Sequence, residues 1–207
     1  MMRIRRACLG VVGMLFMMGT GCAGPRYEAS VAHVPARGEV AATVTADIRA
    51  GIDEVYDYVV REDTPARDLR AYGPIGGVRG SVKLTAGGWD HPGARRVVVL
   101  DDGATLVEQI DALERPLHFA YHVNDFSFVV KDFATGARGD WVFTPTAMGT
   151  HVVWTYTFAP RSCPAEPALR ALVATLFKPY MAHGMASIRV HIEGAPKEDV
   201  AVAVSVP

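Results

Sequence analysis

Apolar residues at Val40, Ala42, Val44, Ala46 and Ile48 alternate with Glu39, Ala41, Thr43 and Thr45, the period of a strand with one buried face. The period then changes. Ile52, Val55, Tyr56 and Val59 recur at helical spacing and predict a short helix over Gly51 to Val60. Residues 61–74 are polar and carry Pro65 and Pro74, which reads as a connection. Alternation returns less cleanly at Val78 to Leu84. Arg95–Leu100 and Thr105–Leu113 flank Asp101, Asp102, Gly103 and Ala104, and an Asp-Gly pair between two apolar runs signals a hairpin. Leu117–Val123, Ala137–Thr144 and Thr150–Phe158 follow, the last two joined by a turn at Met148-Gly149.

The longest helical pattern runs from Pro164 to Glu193. Leu169, Leu172, Val173, Leu176, Tyr180, Gly184, Ile188 and Ile192 step by three and four, and Phe177, Met181 and Met185 widen the stripe. Pro179 lies inside it, where it removes a backbone hydrogen bond and clashes with the preceding turn, so a kink is expected near Thr175 to Pro179. Gly194 and Pro196 mark its end. Short, turn-separated strands argue for a strongly curved antiparallel sheet, and a helix this apolar on one side needs a concave partner. The fold class expected is α+β, a curved sheet wrapped around a long C-terminal helix.

Strand parity sorts the side chains, because alternate residues face opposite sides. The inward sets are Leu117, Phe119, Tyr121 and Val123, then Gly139, Trp141 and Phe143, then Val152, Trp154, Tyr156 and Phe158. His118 and His122 fall on the outer face. Opposite Phe177, Met181 and Met185, these aromatics either line a ligand pocket or fill a core. Glu108 shares the inward face with Leu106 and Ile110, and a buried carboxylate must be paired, hydrogen-bonded or neutralised. A three-residue Asp101–Gly103 loop sets Arg96 opposite it, whereas a two-residue Asp102-Gly103 turn brings Arg95 to that face. Arg96 is the preferred partner. The pair is a structural ion pair or a ligand-orienting site.

Composition narrows the setting. The chain has 207 residues, half of them hydrophobic, and a formal net charge of −1, with no basic stripe of the kind nucleic acid requires. Arg3, Arg5 and Arg6 precede an apolar run from Leu9 to Met18 that is short for a membrane span, and Gly19-Thr20-Gly21-Cys22 follows. This order resembles a bacterial lipoprotein signal, although Gly19 stands where that signal usually has an aliphatic residue. The resemblance implies that residues 1–21 are removed and that Cys22 is lipidated, leaving a mature charge near −4. The rival is an ordinary secretory signal. Residues 22–38 then read as a tether, 39–194 as the folded domain and 195–207 as a tail. Ala23 lacks the aspartate that marks inner-membrane retention in some bacteria, which favours the outer membrane facing the periplasm. Cys163 is left as a lone cysteine with no histidine or acid motif around it.

Strand, short helix, six more antiparallel strands and a long helix are similar to the START-like helix-grip superfamily (SRPBCC), most closely its polyketide cyclase/dehydrase-type members. The similar stretches are Ala50–Tyr56, Arg96–Glu108, Phe119–Val123 and Gly149–Trp154. The resemblance implies a helix-grip fold over residues 39–193 with an apolar cavity for a lipid, sterol or polyketide-like molecule. It brings ligand-binding roles to Arg96, Glu108, Phe119, Tyr121, Trp141, Trp154, Tyr156, Phe177, Met181 and Met185. The alternatives are a cyclase/dehydrase-like enzyme using Glu108 as acid/base, and a structural protein with a filled core. No metal, cofactor or catalytic constellation is expected: there is no Gly-x-Ser-x-Gly elbow, no phosphate loop, and His118/His122 have no third ligand nearby. A pocket of about 300 Å3 or more touched by Glu108 is the mark of a preformed site.

Overall fold

A computed structural model describes residues 38–194. The signal, Cys22, nearly all of the tether and the tail after Gly194 lie outside the described residues. Seven strands, β1 (Val40–Ile48), β2 (Val78–Lys83), β3 (Arg95–Leu100), β4 (Thr105–Glu114), β5 (His118–Asn124), β6 (Ala134–Thr146) and β7 (Gly149–Pro160), form one antiparallel sheet. Its order is β1-β7-β6-β5-β4-β3-β2, so the first strand closes onto the last. The helices are α1 (Ile52–Val60), α2 (Thr64–Asp68), α3 (Glu166–Leu172) and α4 (Lys178–Glu193).

The α+β helix-grip expectation holds. Phe158, Tyr156, Trp154 and Val152 stand opposite Val40, Ala42, Val44 and Ala46 on the inner face. Val55, Tyr56 and Val59 of α1 and Met181, Met185 and Ile188 of α4 pack into the same core. Each large apolar side chain buried in this way contributes about 1.5–3 kcal/mol, and this face is what holds α4 in the sheet's concavity. Where the kink was expected, the helical hydrogen-bond pattern changes. A π turn, Val173–Phe177, separates α3 from α4, so that Pro179 falls in the first turn of α4, where its missing N–H is tolerated.

Four local expectations need correction. The connection 61–74 contains α2, a helix too short to show periodicity. In β2 a register shift between Val78 and Gly80 breaks parity, leaving Val82 and Leu84 exposed. Leu117 precedes β5 and is exposed rather than inward. Cys163 is not alone: it is disulfide-bonded, with a partner outside the described residues.

Candidate functional site

The β3–β4 hairpin fixes the central pair. Leu100 N–H donates to the Ala104 carbonyl at 2.8 Å, closing a three-residue loop with Gly103 at φ +84°, a region that suits glycine. That register sets Arg96 opposite Glu108. Arg96 Nε donates to Glu108 Oε2 at 2.8 Å, and its Nη2 lies 2.7 Å from the same oxygen as an ion pair. Its Nη1 donates to the Glu62 carbonyl at 2.9 Å, and its Cζ lies 3.9 Å from the Trp89 ring centroid. The arginine is fully engaged. Glu108 is not, because among the described residues its Oε1 accepts no hydrogen bond.

Two cavities meet at Glu108. The first, about 40 Å3, is lined by Trp89, Arg96, Phe119, Trp141 and Ile188, among others. The second, about 60 Å3, is lined by Val98, Phe128, Tyr156, Phe177 and Tyr180, among others. Pro65, Leu69, Glu108, Tyr121 and Trp154 line both and form the septum between them. These volumes admit a few waters and fall well short of the size expected for a preformed site. Flat rings make the walls: Trp141 and Trp154 stack at 4.4 Å and 12°, and Phe177 lies 4.7 Å from Tyr156.

The polar atoms of the septum are unusual. Trp154 is 2% exposed, yet its indole N–H has no hydrogen-bond partner. An unmade bond of this kind costs about 1–3 kcal/mol. Burial pushes the Tyr121 hydroxyl pKa above the usual phenol value, and the Glu108 charge pushes it further; the nearby Trp141 and Trp154 indoles offset this in part. Tyr180 is raised by burial first and by Glu108 second. Tyr121 lies across Gly139, where a Cβ would overlap its ring.

Asp68, at the end of α2, closes one side of the first cavity. Its buried carboxylate accepts from Tyr58 Oη at 2.9 Å and Ser187 Oγ at 2.7 Å, and bonds His191 Nδ1 at 2.6 Å. On the outer sheet face His118 and His122 do not meet as a metal pair. His118 Nε2 bonds Asp140 Oδ1 at 2.6 Å, His122 Nδ1 bonds Asp111 Oδ1 at 2.7 Å, and Arg138 joins the two carboxylates. All three cationic or ionisable residues are buried, which parity did not indicate. Among the described residues no group of three or more His, Cys, Asp or Glu is placed to hold a metal ion.

Of the ten residues singled out from sequence, Arg96, Glu108, Phe119, Tyr121, Trp141, Trp154, Tyr156 and Phe177 line one or both cavities. Met181 and Met185 do not; they are core residues, 0% and 3% exposed. Sequence reasoning missed Trp89, Leu69, Asp68 and Tyr180. Trp89 alone carried a signal, as a single large aromatic in the glycine-bearing loop Gly87-Gly88-Trp89.

A family model described as polyketide cyclase / dehydrase and lipid transport matches residues 39–193. No curated protein sequence matches the chain. Among solved structures, Ara h 8.0201 superposes with a TM-score of 0.58 at 11% identity, over 74% of this chain and 97% of that one. A major latex-like protein from Panax ginseng gives 0.56 at 11% identity, over 74% and 97%. The di-domain ARO/CYC StfQ from the steffimycin biosynthetic pathway gives 0.57 at 16% identity, over 75% of this chain and 51% of that one. At these identities the likeness is one of fold.

Proposed function

The chain belongs to the polyketide cyclase / dehydrase and lipid transport family, and from that premise we propose that it binds a hydrophobic small molecule between the sheet and α4. One observation carries the reading. A buried donor without a partner, the Trp154 N–H, lines the same two cavities as Glu108, whose Oε1 accepts no hydrogen bond among the described residues. A protein selected only for a filled core gains nothing from leaving the buried Trp154 donor unmatched. The ligand that fits is flat and largely apolar, with a hydroxyl or similar donor for Glu108 and an acceptor for Trp154, as a polyketide-like or sterol-like molecule has. Binding entails opening, since the septum must part to merge spaces of about 40 and 60 Å3.

The second reading is a structural or interaction protein with a packed interior, and the small cavity volumes favour it. The setting proposed for either is the bacterial envelope, with Cys22 lipidated and the domain held on a tether, facing the periplasm from the outer membrane. The basic-apolar-cysteine order of residues 3–22 supports this, whereas the disulfide at Cys163 counts against it, since Cys8 and Cys22 are the other cysteines of the sequence and a lipidated Cys22 has no thiol left to pair. An acyl mass on the Cys22 peptide tests it; a mature N-terminus elsewhere without acyl mass would remove the anchor.

Native mass spectrometry of residues 23–207 purified from the source cells, followed by solvent extraction, tests the binding reading. A stoichiometric adduct lost in Trp154→Ala and weakened in Glu108→Gln is the expected result. A reproducibly empty protein that also takes up no fatty acid, sterol or polyketide probe would leave the packed-interior reading in its place.

A further inference from the structure

A third space lies outside the septum. It is an open cleft of about 510 Å3 bounded by Tyr56, Asp57, Val60 and Arg61 from α1 and its end, by Leu113 from β4 and Arg115 just after it, and by Trp89 and Asp90 from the β2–β3 loop. Trp89 and Arg61 also line the first interior cavity. The Trp89 side chain therefore stands between a space of ligand size, open to solvent, and the small cavity at Glu108. We propose that this cleft is the vestibule through which a hydrophobic ligand enters, and that Trp89 is the gate. This rests on the reading that the interior holds a ligand.

What holds each wall of the interior separates this route from the obvious rival, the α2 side. There the wall is stapled. Asp68 is bonded by Tyr58, Ser187 and His191, and Leu69 is so close to α4 that a Cβ at Gly184 would overlap it. Moving α2 would strand a buried carboxylate, a costly step. The Trp89 side is held differently. Its indole makes no hydrogen bond among the described residues; it is retained by packing and by the face of Arg96, 3.9 Å from the ring centroid. The loop is tied at its ends, by Arg95 N–H to Thr85 Oγ1 at 3.0 Å and Gly93 N–H to the Ile110 carbonyl at 2.8 Å. Trp89 is bracketed by Gly87 at φ +91° and, at the second tie, Gly93 at φ +87°, backbone that turns with little steric hindrance. Such a flap can swing the indole out while its ends stay in place.

Arg96 joins the gate to the site. One guanidinium stacks on Trp89, clamps Glu108 Oε2 and donates to the Glu62 carbonyl. A ligand that engages Glu108 Oε1 leaves that clamp intact, so the gate recloses over a bound molecule. Ligand uptake is then limited by opening of Trp89, in both directions.

Stopped-flow fluorescence with the neutral probe N-phenyl-1-naphthylamine on the mature chain tests this. Trp89→Ala is expected to raise association and dissociation rates together, by about 10-fold or more, with the equilibrium constant changed less than about 3-fold. Val60→Trp, at a residue that lines the cleft and neither interior cavity, is expected to slow both, and it carries the test if Trp89→Ala fails to fold. A change in dissociation alone makes Trp89 a cavity wall and overturns the gate. Acceleration by Leu69→Ala with wild-type rates in Trp89→Ala and Val60→Trp moves entry to the α2 side and also overturns it. No uptake by the wild-type protein or either variant overturns the binding reading and the gate with it, whereas uptake at unchanged rates overturns the gate alone.

Discussion

Arg96 and Glu108 stand opposite each other on β3 and β4, and two arginine nitrogens share one carboxylate oxygen while the other oxygen is left without a hydrogen bond among the described residues. Both residues are more than nine-tenths buried. Removing either charge alone leaves the other uncompensated. Arg96→Leu is expected to cost about 3–5 kcal/mol, and Glu108→Gln, which keeps an acceptor, about 1–2 kcal/mol. The double variant Arg96→Leu/Glu108→Gln is expected to cost less than the sum of its two single changes. Urea unfolding measures all four; strictly additive losses would show that the two side chains are not coupled.

Gly139 tests how closely the septum is built. A Cβ there would overlap the Tyr121 ring, which is itself buried and beside Trp154 and Tyr156. Gly139→Ala is expected to destabilise by about 1–3 kcal/mol through overpacking. Gly139→Ala/Tyr121→Leu, which removes the ring, is expected to recover part of that loss relative to Tyr121→Leu alone. An alanine tolerated without cost at residue 139 would mean that the sheet and ring are free to part.

The inner face was legible because period 2 is geometric: once a stretch is a strand, Trp141, Trp154 and Tyr156 must share a side. The Arg96–Glu108 register was legible only as the preferred of two, since an Asp-Gly turn closes either a two- or a three-residue loop, and one residue decides which arginine faces inward. The β4 bulge between Ile110 and Ala112 reverses the parity beyond it, setting Ala112 opposite Ala120 and Leu113 opposite inward Phe119, and nothing in the local sequence announces it. The five residues of α2 have no period to read; their place is set by Asp68, whose partners Ser187 and His191 lie more than a hundred residues away. Parity put His118 and His122 on the outer face but says nothing of what covers a face, and so their burial with Arg138 was invisible. Helical phase puts Met181 and Met185 on the buried side of α4, but does not tell cavity lining from solid core: Phe177, Tyr180 and Ile188, before and after them in the chain, line the cavities, while the two methionines are packed in the core.

The buried phenols give an alkaline signature. Burial raises Tyr56 and Tyr58 to about 12, with Asp57 and Asp68 as the next contributors respectively. Tyr121 and Tyr180 are raised as well, by burial and then by Glu108. A phenol raised in the folded state lends stability that is complete below its unfolded value, about 10, and is lost as pH climbs through the folded value. Absorbance titration at 295 nm is expected to show these four tyrosines unionised at pH 11 in the folded chain and titrating together on unfolding. Unfolding free energy is expected to fall between about pH 10 and 12, less steeply in Tyr121→Phe. All tyrosines titrating near pH 10 without unfolding would contradict their burial.

Asp140 gives the acid counterpart. Burial alone would raise its pKa, but the bonds from His118 Nε2 and Arg138 Nε, both 2.6 Å, outweigh burial and hold it below the ordinary carboxylate value. A carboxyl lowered in the folded state contributes stability that is complete above its unfolded value, about 3.9, and is lost as pH falls through the folded one. Asp140→Asn is therefore expected to cost about 1–3 kcal/mol near neutral pH. The gap between the two proteins is expected to narrow steadily below about pH 4, where the wild-type side chain also becomes neutral. Urea unfolding of both from pH 7 to pH 3 measures it. A difference that stays constant across that range would mean that the charge on Asp140 does not contribute, and that its bonds to His118 and Arg138 stabilise the sheet only as neutral contacts.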